Sequence, residues 1–318
     1  MNKKILLLLL FFAGLANAQV LTFADPIFKN MLVNGGDNNF TAYSNNVRIY
    51  RIDTNFDNQI QVSEAALIDK LWIEGLNAYA VTNIQGIEGF SNLTELGFIG
   101  ISTPTISLSG MQNLKSLSFT SPVLTEATIS GMPNLENVGL SDNPLLTALS
   151  VSNCASLDFI IAQRNAVLSN FTTSNLATIE NIYVNDNQIS TLNLTSCPNL
   201  QYFNANNNAL ASVNVSGLTS LLAFSIENNP DLTTINASGC TLLNLHPSNF
   251  SDKENLQTLD FSNCSSLQML IINDSSLSSL NLSGCTTLTQ LDIKNNALAN
   301  LNLSGCSALL NLECSNNQ

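Results

Sequence analysis

Positive charge is scarce in this chain. Its 318 residues carry 10 Lys and Arg against 23 Asp and Glu, a net charge of −13. Binding a phosphate backbone requires clustered Lys and Arg, so a nucleic-acid partner is excluded on composition. There is one histidine, His246, and no nucleophile–base pair accompanies it by motif, which argues against a hydrolytic centre. No CxxC pair marks a zinc or redox site. No segment after the first residues is long and apolar enough to cross a membrane, so membrane insertion is not expected.

What is present begins with "MNKKILLLLLFFAGLANAQ". Lys3 and Lys4, an apolar run from Ile5 to Leu15 and the small residues of "ANA" read as a secretory signal peptide, residues 1–18, cut after Ala18. The mature chain then has 8 basic and 23 acidic residues, a charge of −15, and is expected to be secreted or at the cell surface.

The organisation is a repeat. Aligned on "LTQLDIKNNALANLNLSGCSA" (residues 288–308), earlier copies start at Leu93, Leu114, Leu135, Leu157, Ile179, Leu200, Leu221, Leu243 and Leu267, with steps of 21 to 24 residues. Each copy has two halves of the form L-x-x-L-x-L-x-x-N/C, and each half holds a short alternating stretch. The fold expected is mainly β: a leucine-rich repeat solenoid of about 21-residue coils with two parallel sheets, residues 67–318. A small, partly helical N-terminal cap, residues 19–66, precedes it. The chain stops at "LECSNNQ", midway through a coil, which reads as a truncated C-terminal end.

Two columns mark the bends. Asn143, Asn165, Asn187, Asn208, Asn229, Asn296 and Asn317 follow the first strand and are expected to bond backbone groups there. That ladder fails near Ile101, Pro122, Ser251 and Ser275, where less regular bends are expected. The second column alternates Met, Leu and cysteine: Cys154, Cys197, Cys240, Cys264, Cys285 and Cys306 are expected to be buried free thiols. Cys314 falls in a different, inward strand column. The Asn-x-Ser/Thr triplets read as by-products of the repeat.

In the cap, "DTNFDNQIQVSE" (residues 53–64) has the ligand spacing of a twelve-residue calcium loop. Asp53, Asn55, Asp57 and Glu64 supply side-chain oxygens, Gln59 its carbonyl, and Ile60 the hydrophobic eighth place. Asn58 stands where such loops carry glycine, and Asn tolerates the positive φ required. The oxygen-only set points to structural Ca2+ clasping the cap rather than to water activation.

The copies resemble the 21-residue leucine-rich repeats of secreted Bacteroidota proteins, similar in form to internalin-like repeats. "FADPIFKNMLV" followed by "DTNFDNQIQVSEA", and "IQGIEGFSNLTEL", resemble the N-terminal region of the same proteins. The resemblance implies a helix-forming stretch, an EF-hand-like loop and entry into the first coil. It is specific for fold and silent about the ligand.

Outward positions of the first strand form two columns: Gly97, Ser118, Gly139, Ile161, Tyr183, Asn204, Ser225, His246, Ile271, Asp292, and beside it Glu95, Ser116, Asn137, Phe159, Asn181, Tyr202, Ala223, Asn244, Met269, Gln290. Phe159, Ile161, Tyr183 and Tyr202 fall on three consecutive coils and read either as drift in a tolerant repeat or as a candidate ligand-binding patch. The opposite face is expected to be a solvated back. The reading is a non-enzymatic binding protein for an extracellular protein or adhesion target. Two alternatives stay open: a carbohydrate-binding surface, and the binding part of a larger degradative enzyme.

Overall fold

A computed structural model describes residues 19–36, 40–75, 77–245 and 254–318. The signal segment 1–18, His246 and Ser251 lie outside the described residues. No helix among the described residues is long and apolar enough to cross a membrane.

The chain winds into a β-solenoid of about 11 turns with coils of about 21 residues. Alternation in each L-x-L points the leucines inward and the residues between them outward. The strand Ser116–Thr120 shows this, with Leu117 and Phe119 buried and Ser116, Ser118 and Thr120 half-buried. First-half strands stack in parallel from Lys70–Ile73 through Glu95–Ile99 to Ala223–Ser225, and again from Met269–Ile271 to Asn311–Glu313. Second-half strands form the opposite sheet in two blocks, Thr105–Ser109 to Asn170–Ser174 and Ser212–Asn214 to Ser279–Asn281. Between those blocks only the bridge Asn193↔Asn214 continues the pairing. One buried core runs from the cap through the coils.

The sequence register fails in one coil. The Asn244 N–H donates to Leu222 O, as the Leu222 N–H does to Gln201 O. Asn244 therefore sits one place before the outward column assigned to it and is exposed, while Leu245 after it is buried.

Most of the described bends pass through a left-handed residue placed directly before the bend residue. At the first bend these are Asp142, Arg164, Asp186, Asn207, Asn228, Asp274, Asn295 and Asn316, at φ 52–60°. At the second they are Asn or Gly, such as Asn153, Asn175, Asn263 and Gly284. Short polar side chains and glycine tolerate this conformation, which explains the Asn, Asp or Gly that precedes most of the column Asn and Cys residues, Arg164 and Ser196 being the exceptions. Gly284 is constrained twice: φ is +80°, and a Cβ there would stand 2.5 Å from Asn263 Oδ1.

The Asn column does what its position demands. Asn187 Nδ2 donates to Ala162 O (2.8 Å) and Val184 O (2.7 Å), and its Oδ1 accepts from the Asn165 N–H (2.9 Å). Where the step is 22 residues, Oδ1 accepts from the preceding Asn itself, as Asn165 does from Asn143. From Asn208 onward it accepts from the residue two places after the preceding bend position, as from Ile189 and Leu210. Where the column lacks Asn, hydroxyls substitute: Ser121 Oγ donates to Thr103 O (3.1 Å).

The six column cysteines are free and buried. They are more than apolar filling. Cys240, Cys264 and Cys285 each donate to a carbonyl of the preceding coil at 3.1 Å: Val215 O, Ala237 O and Phe261 O. Cys314 departs from expectation. It occupies an inward column of the last described strand, Asn311–Glu313 and the residue after it, where it and Leu312 are exposed.

The cap holds the expected helix, Pro26–Asn34, opened by Asp25 with proline in its first turn. It also holds a hairpin the repeat pattern did not disclose, Phe40–Ser44 with Val47–Ile49, turned at Asn45 and Asn46 with φ 51° and 64°. Phe40–Ser44 pairs antiparallel with Lys70–Ile73, so the cap extends the first-half sheet. Phe23, Phe28, Phe98 and Phe119 form a file of rings at centroid spacings of 5.6, 6.2 and 5.5 Å, joining the cap to the coils.

Candidate functional site: an aromatic face and a loop of oxygens

The strands Phe159–Ile161, Asn181–Tyr183 and Tyr202–Asn204 pair in parallel in the order Phe159↔Asn181↔Tyr202 and Ile161↔Tyr183↔Asn204. Ile161 and Tyr183 are direct neighbours, while Asn181 separates Phe159 from Tyr202. The four residues thus form a staggered patch rather than a file. Ile161 and Tyr202 are 39% and 42% exposed, and Phe159 and Tyr183 are half-buried. Tyr183, Tyr202, Asn204, Ala223 and Ser225 line a shallow depression. Beneath it Phe203 and Phe224 stack at 5.1 Å, so the platform is close-packed.

Carboxylates flank the patch. Successive backbone bonds tie Lys115, Glu136, Asp158, Glu180 and Gln201 into one column just before the strands. Lys115 pairs with Glu136 at 2.8 Å, and among the described residues no basic side chain pairs with Asp158 or Glu180. On the far side of the strands, Arg164 is left-handed at φ 55° and forks onto Asp142, with both nitrogen–oxygen distances 2.8 Å. The fork holds the Asp142 carboxyl below the usual carboxylate range.

The opposite face is chemically occupied. Asn193 Oδ1 accepts from Thr195 N and Oγ1, Asn236 Oδ1 from Ser238 N and Oγ, and Asn281 Oδ1 from Ser283 N and Oγ. Asn214 and Asn302 make the same turn to Ser216 N and Ser304 N. The recurring Asn-x-Ser/Thr triplet is therefore a turn device, a role the sequence reading did not assign to it.

In the cap loop, Asn58 adopts φ 63°, as its place requires, and Ile60 is fully buried. Phe56 is also left-handed, at φ 64°, with Arg51 over its ring at 4.4 Å. Asp53 is buried. Oδ1 accepts from Phe56 N (2.8 Å), and Oδ2 accepts from Asn58 N (3.2 Å) and Arg51 Nη2 (2.8 Å). Burial acts to raise its pKa, but the Arg51 and backbone donors outweigh it and hold the carboxyl low. Glu64 Oε1 reaches back to Thr54 N (2.7 Å) and Oγ1 (2.8 Å), closing the loop end to end. Asn55 Oδ1 accepts from Asp57 N, and Asp57 Oδ1 from Gln59 N.

The donors fit calcium in kind: all are oxygens, three of them on carboxylates. Gln61, whose Nε2 donates to Asp57 Oδ2 at 2.7 Å, leaves its buried Oε1 without a partner. The side chains do not converge, however: among the described residues no three His, Cys, Asp or Glu are grouped to hold a metal. The chain's own N–H groups satisfy most of the loop's oxygens.

Asp25 was not singled out from the sequence as a functional residue. Its Oδ1 caps the helix through Ile27 N (2.7 Å), and its Oδ2 accepts from Thr82 N (2.7 Å) and Oγ1 (3.0 Å), tying the cap to the first coil. A lone Asp before Pro signals the helix start, but nothing in the sequence points to Thr82.

No protein-family model and no curated protein matches the sequence. Solved structures do. The chain aligns over 82% of its length with 71% of the functional domain of InlJ from Listeria monocytogenes, described as including a cysteine ladder, at 18% identity and TM-score 0.32. It aligns over 79% with 75% of a leucine-rich repeat protein from Bacteroides ovatus, at 13% identity and TM-score 0.22. It aligns over 73% with 42% of a chain in the Drosophila Toll–Spatzle complex, at 14% identity and TM-score 0.27. The fold assignment rests on this chain's own register: it is a leucine-rich repeat solenoid.

Proposed function

We propose that the protein is a non-enzymatic, secreted or surface-held binding scaffold that grips an extracellular protein through its first-half sheet. The observation that carries this reading is the contrast between faces. Phe159, Ile161, Tyr183 and Tyr202 stand outward on a close-packed platform, whereas the amides of the opposite face are bonded within their own turns. Aromatic anchors on a rigid surface supply large contact area at small entropic cost, and truncating one can remove about 2 kcal/mol of binding.

The test is a comparison on arrays of extracellular proteins and of glycans. Replacing Tyr183 and Tyr202 with Ser should leave stability nearly unchanged and weaken protein hits about tenfold or more, since about 1.4 kcal/mol is one decade. Asn193→Ser on the other face should bind as wild type. Protein hits that survive the double variant overturn the reading, and hits confined to glycans turn it toward the carbohydrate alternative.

In the same proposal Ca2+ clasps the cap, held by Asp53, Asn55, Asp57, Glu64 and the Gln59 carbonyl. The supporting features are the oxygen-only donor set and the left-handed Asn58. The ion would cross-link the two ends of the loop and stabilise the cap by mass action. Millimolar calcium should raise the melting temperature of the wild type and leave that of Glu64→Ala unmoved. Equal melting of the wild type with and without calcium removes the ion from the account.

A further inference from the structure

The aromatic patch has an electrostatic character that the strand positions alone do not reveal. Asp158 and Glu180 lie on adjacent coils directly before the patch strands, linked by the bond from Glu180 N to Asp158 O. Neither is paired with a basic side chain among the described residues; both are half-buried, and the buried Oδ1 of Asp158 has no hydrogen-bond partner, which leaves Oδ2 and the Glu180 carboxylate to meet a partner's charge. The nearest cations are already used: Lys115 holds Glu136 and Arg164 holds Asp142. Two like charges one coil apart repel each other, at about 4.8 Å spacing. No basic side chain among the described residues pairs with either, and Tyr202 follows Gln201, the next member of the same column, so a ring that attracts cations stands one coil on.

We propose that the partner presents a Lys- or Arg-bearing extended segment, whose apolar stems lie on Tyr183 and Tyr202 while its charged heads meet Asp158 and Glu180. This rests on the first-half sheet being the binding face and adds the chemistry of what binds there. Charge complementarity favours it. The net charge of −13 attracts a cationic segment over distance, and the unpaired carboxylates fix where it docks. Basic side chains suit the site doubly, because their long stems cover apolar surface while their heads stay polar.

The experiment is a fluorescence-anisotropy titration with two labelled eight-residue peptides, one alternating Lys and Ser, the other Glu and Ser. The Lys peptide should bind and the Glu peptide should not, and binding should weaken as salt rises. Asp158→Asn/Glu180→Gln should weaken the Lys peptide about tenfold, as should Tyr183→Ser/Tyr202→Ser. Glu126→Gln/Asp231→Asn removes two exposed carboxylates outside the patch and should change affinity less than twofold. Glu180→Gln alone provides a milder variant should the double one prove unstable. Equal losses in the patch and control pairs would mean diffuse charge attraction and overturn the proposal. So would no binding of the Lys peptide. If the protein partners found on arrays depend on the tyrosines but not on Asp158 and Glu180, the binding face stands and the cationic partner falls.

Discussion

Every coil makes two bends, and the protein solves them with different chemistry. Both begin in most described coils with a left-handed residue, and both leave backbone carbonyls of neighbouring coils to be satisfied. The first bend uses a buried Asn, whose amide donates and accepts at once: Asn208 reaches Val184 O and Ala205 O, and accepts from Ile189 N. The second uses a thiol that donates one weak bond, as Cys264 does to Ala237 O, and otherwise fills space. The bend with more orphaned groups receives the side chain with more bonding capacity. The other tolerates Leu176, Leu218 or Met132 in the same column.

The comparison breaks most readily at the first bend. Asn187→Leu keeps the volume but orphans Ala162 O and the Asn165 N–H, while Val184 O keeps its bond from Asn208 Nδ2. At roughly 1–3 kcal/mol for each of these two orphaned groups, the loss should be about 2 kcal/mol or more. A fall in the urea midpoint of the size expected for an exposed substitution would mean that the Asn column is decorative.

The cap sharpens the comparison, because it joins its elements with a carboxylate instead of an amide. Burial acts to raise the Asp25 pKa, but N–H donors from Thr82, Ile27 and Phe28 and the Thr82 hydroxyl more than offset it, so the folded pKa lies below the usual carboxylate range. The stability this confers is complete above the unfolded pKa and is lost as pH falls through the folded one. Hydrogen exchange at Phe28 and Thr82 should therefore accelerate below about pH 4 while the Asn-bonded bends stay protected. Asp25→Asn should flatten that pH dependence. Equal acid sensitivity in the cap and the central coils would erase the distinction.

The smallest effect belongs to the thiol bend. Cys264→Ala should cost about 1 kcal/mol, the sum of a weak hydrogen bond and a small void. Desolvation pushes the thiols of Cys240 and Cys285 up to about 11, so both stay protonated through neutral and mildly alkaline pH. An alkylating reagent on native protein should modify Cys314 and spare the other six until denaturant is added. Several native disulfides by intact mass would overturn the bend as described.

Much of this was legible in the residues, and for a definable reason. A repeat must place the same group in the same environment once per coil, so inward leucines, the Asn column and the cysteine column all follow from spacing. The left-handed positions were equally readable, since Asn, Asp or Gly precedes nearly every bend residue, yet periodicity of the apolar positions drew attention away from them. The calcium-type loop was legible in residue type and in the conformation of Asn58, but not in where its oxygens turn. Glu64 bonds Thr54, and Asp53 bonds Arg51, for reasons of local geometry that ligand spacing does not contain.

The sequence by itself determined the coil: its length, its two strands, its buried columns and the chemistry of its bends, because each is set by contacts within one repeat or between identical repeats. Only the tertiary structure decided what depends on the offset between unlike coils. Steps of 21 and 22 residues select which N–H each Asn meets, and they set Asn181 between Phe159 and Tyr202. The 22-residue step from Leu221 to Leu243 sets Asn244 opposite Leu222, out of its assumed column. The hairpin at Asn45–Asn46, the bond from Thr82 to Asp25 and the unpaired neighbours Asp158 and Glu180 are likewise products of packing. Each joins residues that no repeat relates, and side-chain reach across the stack, not spacing along the chain, chooses the partners.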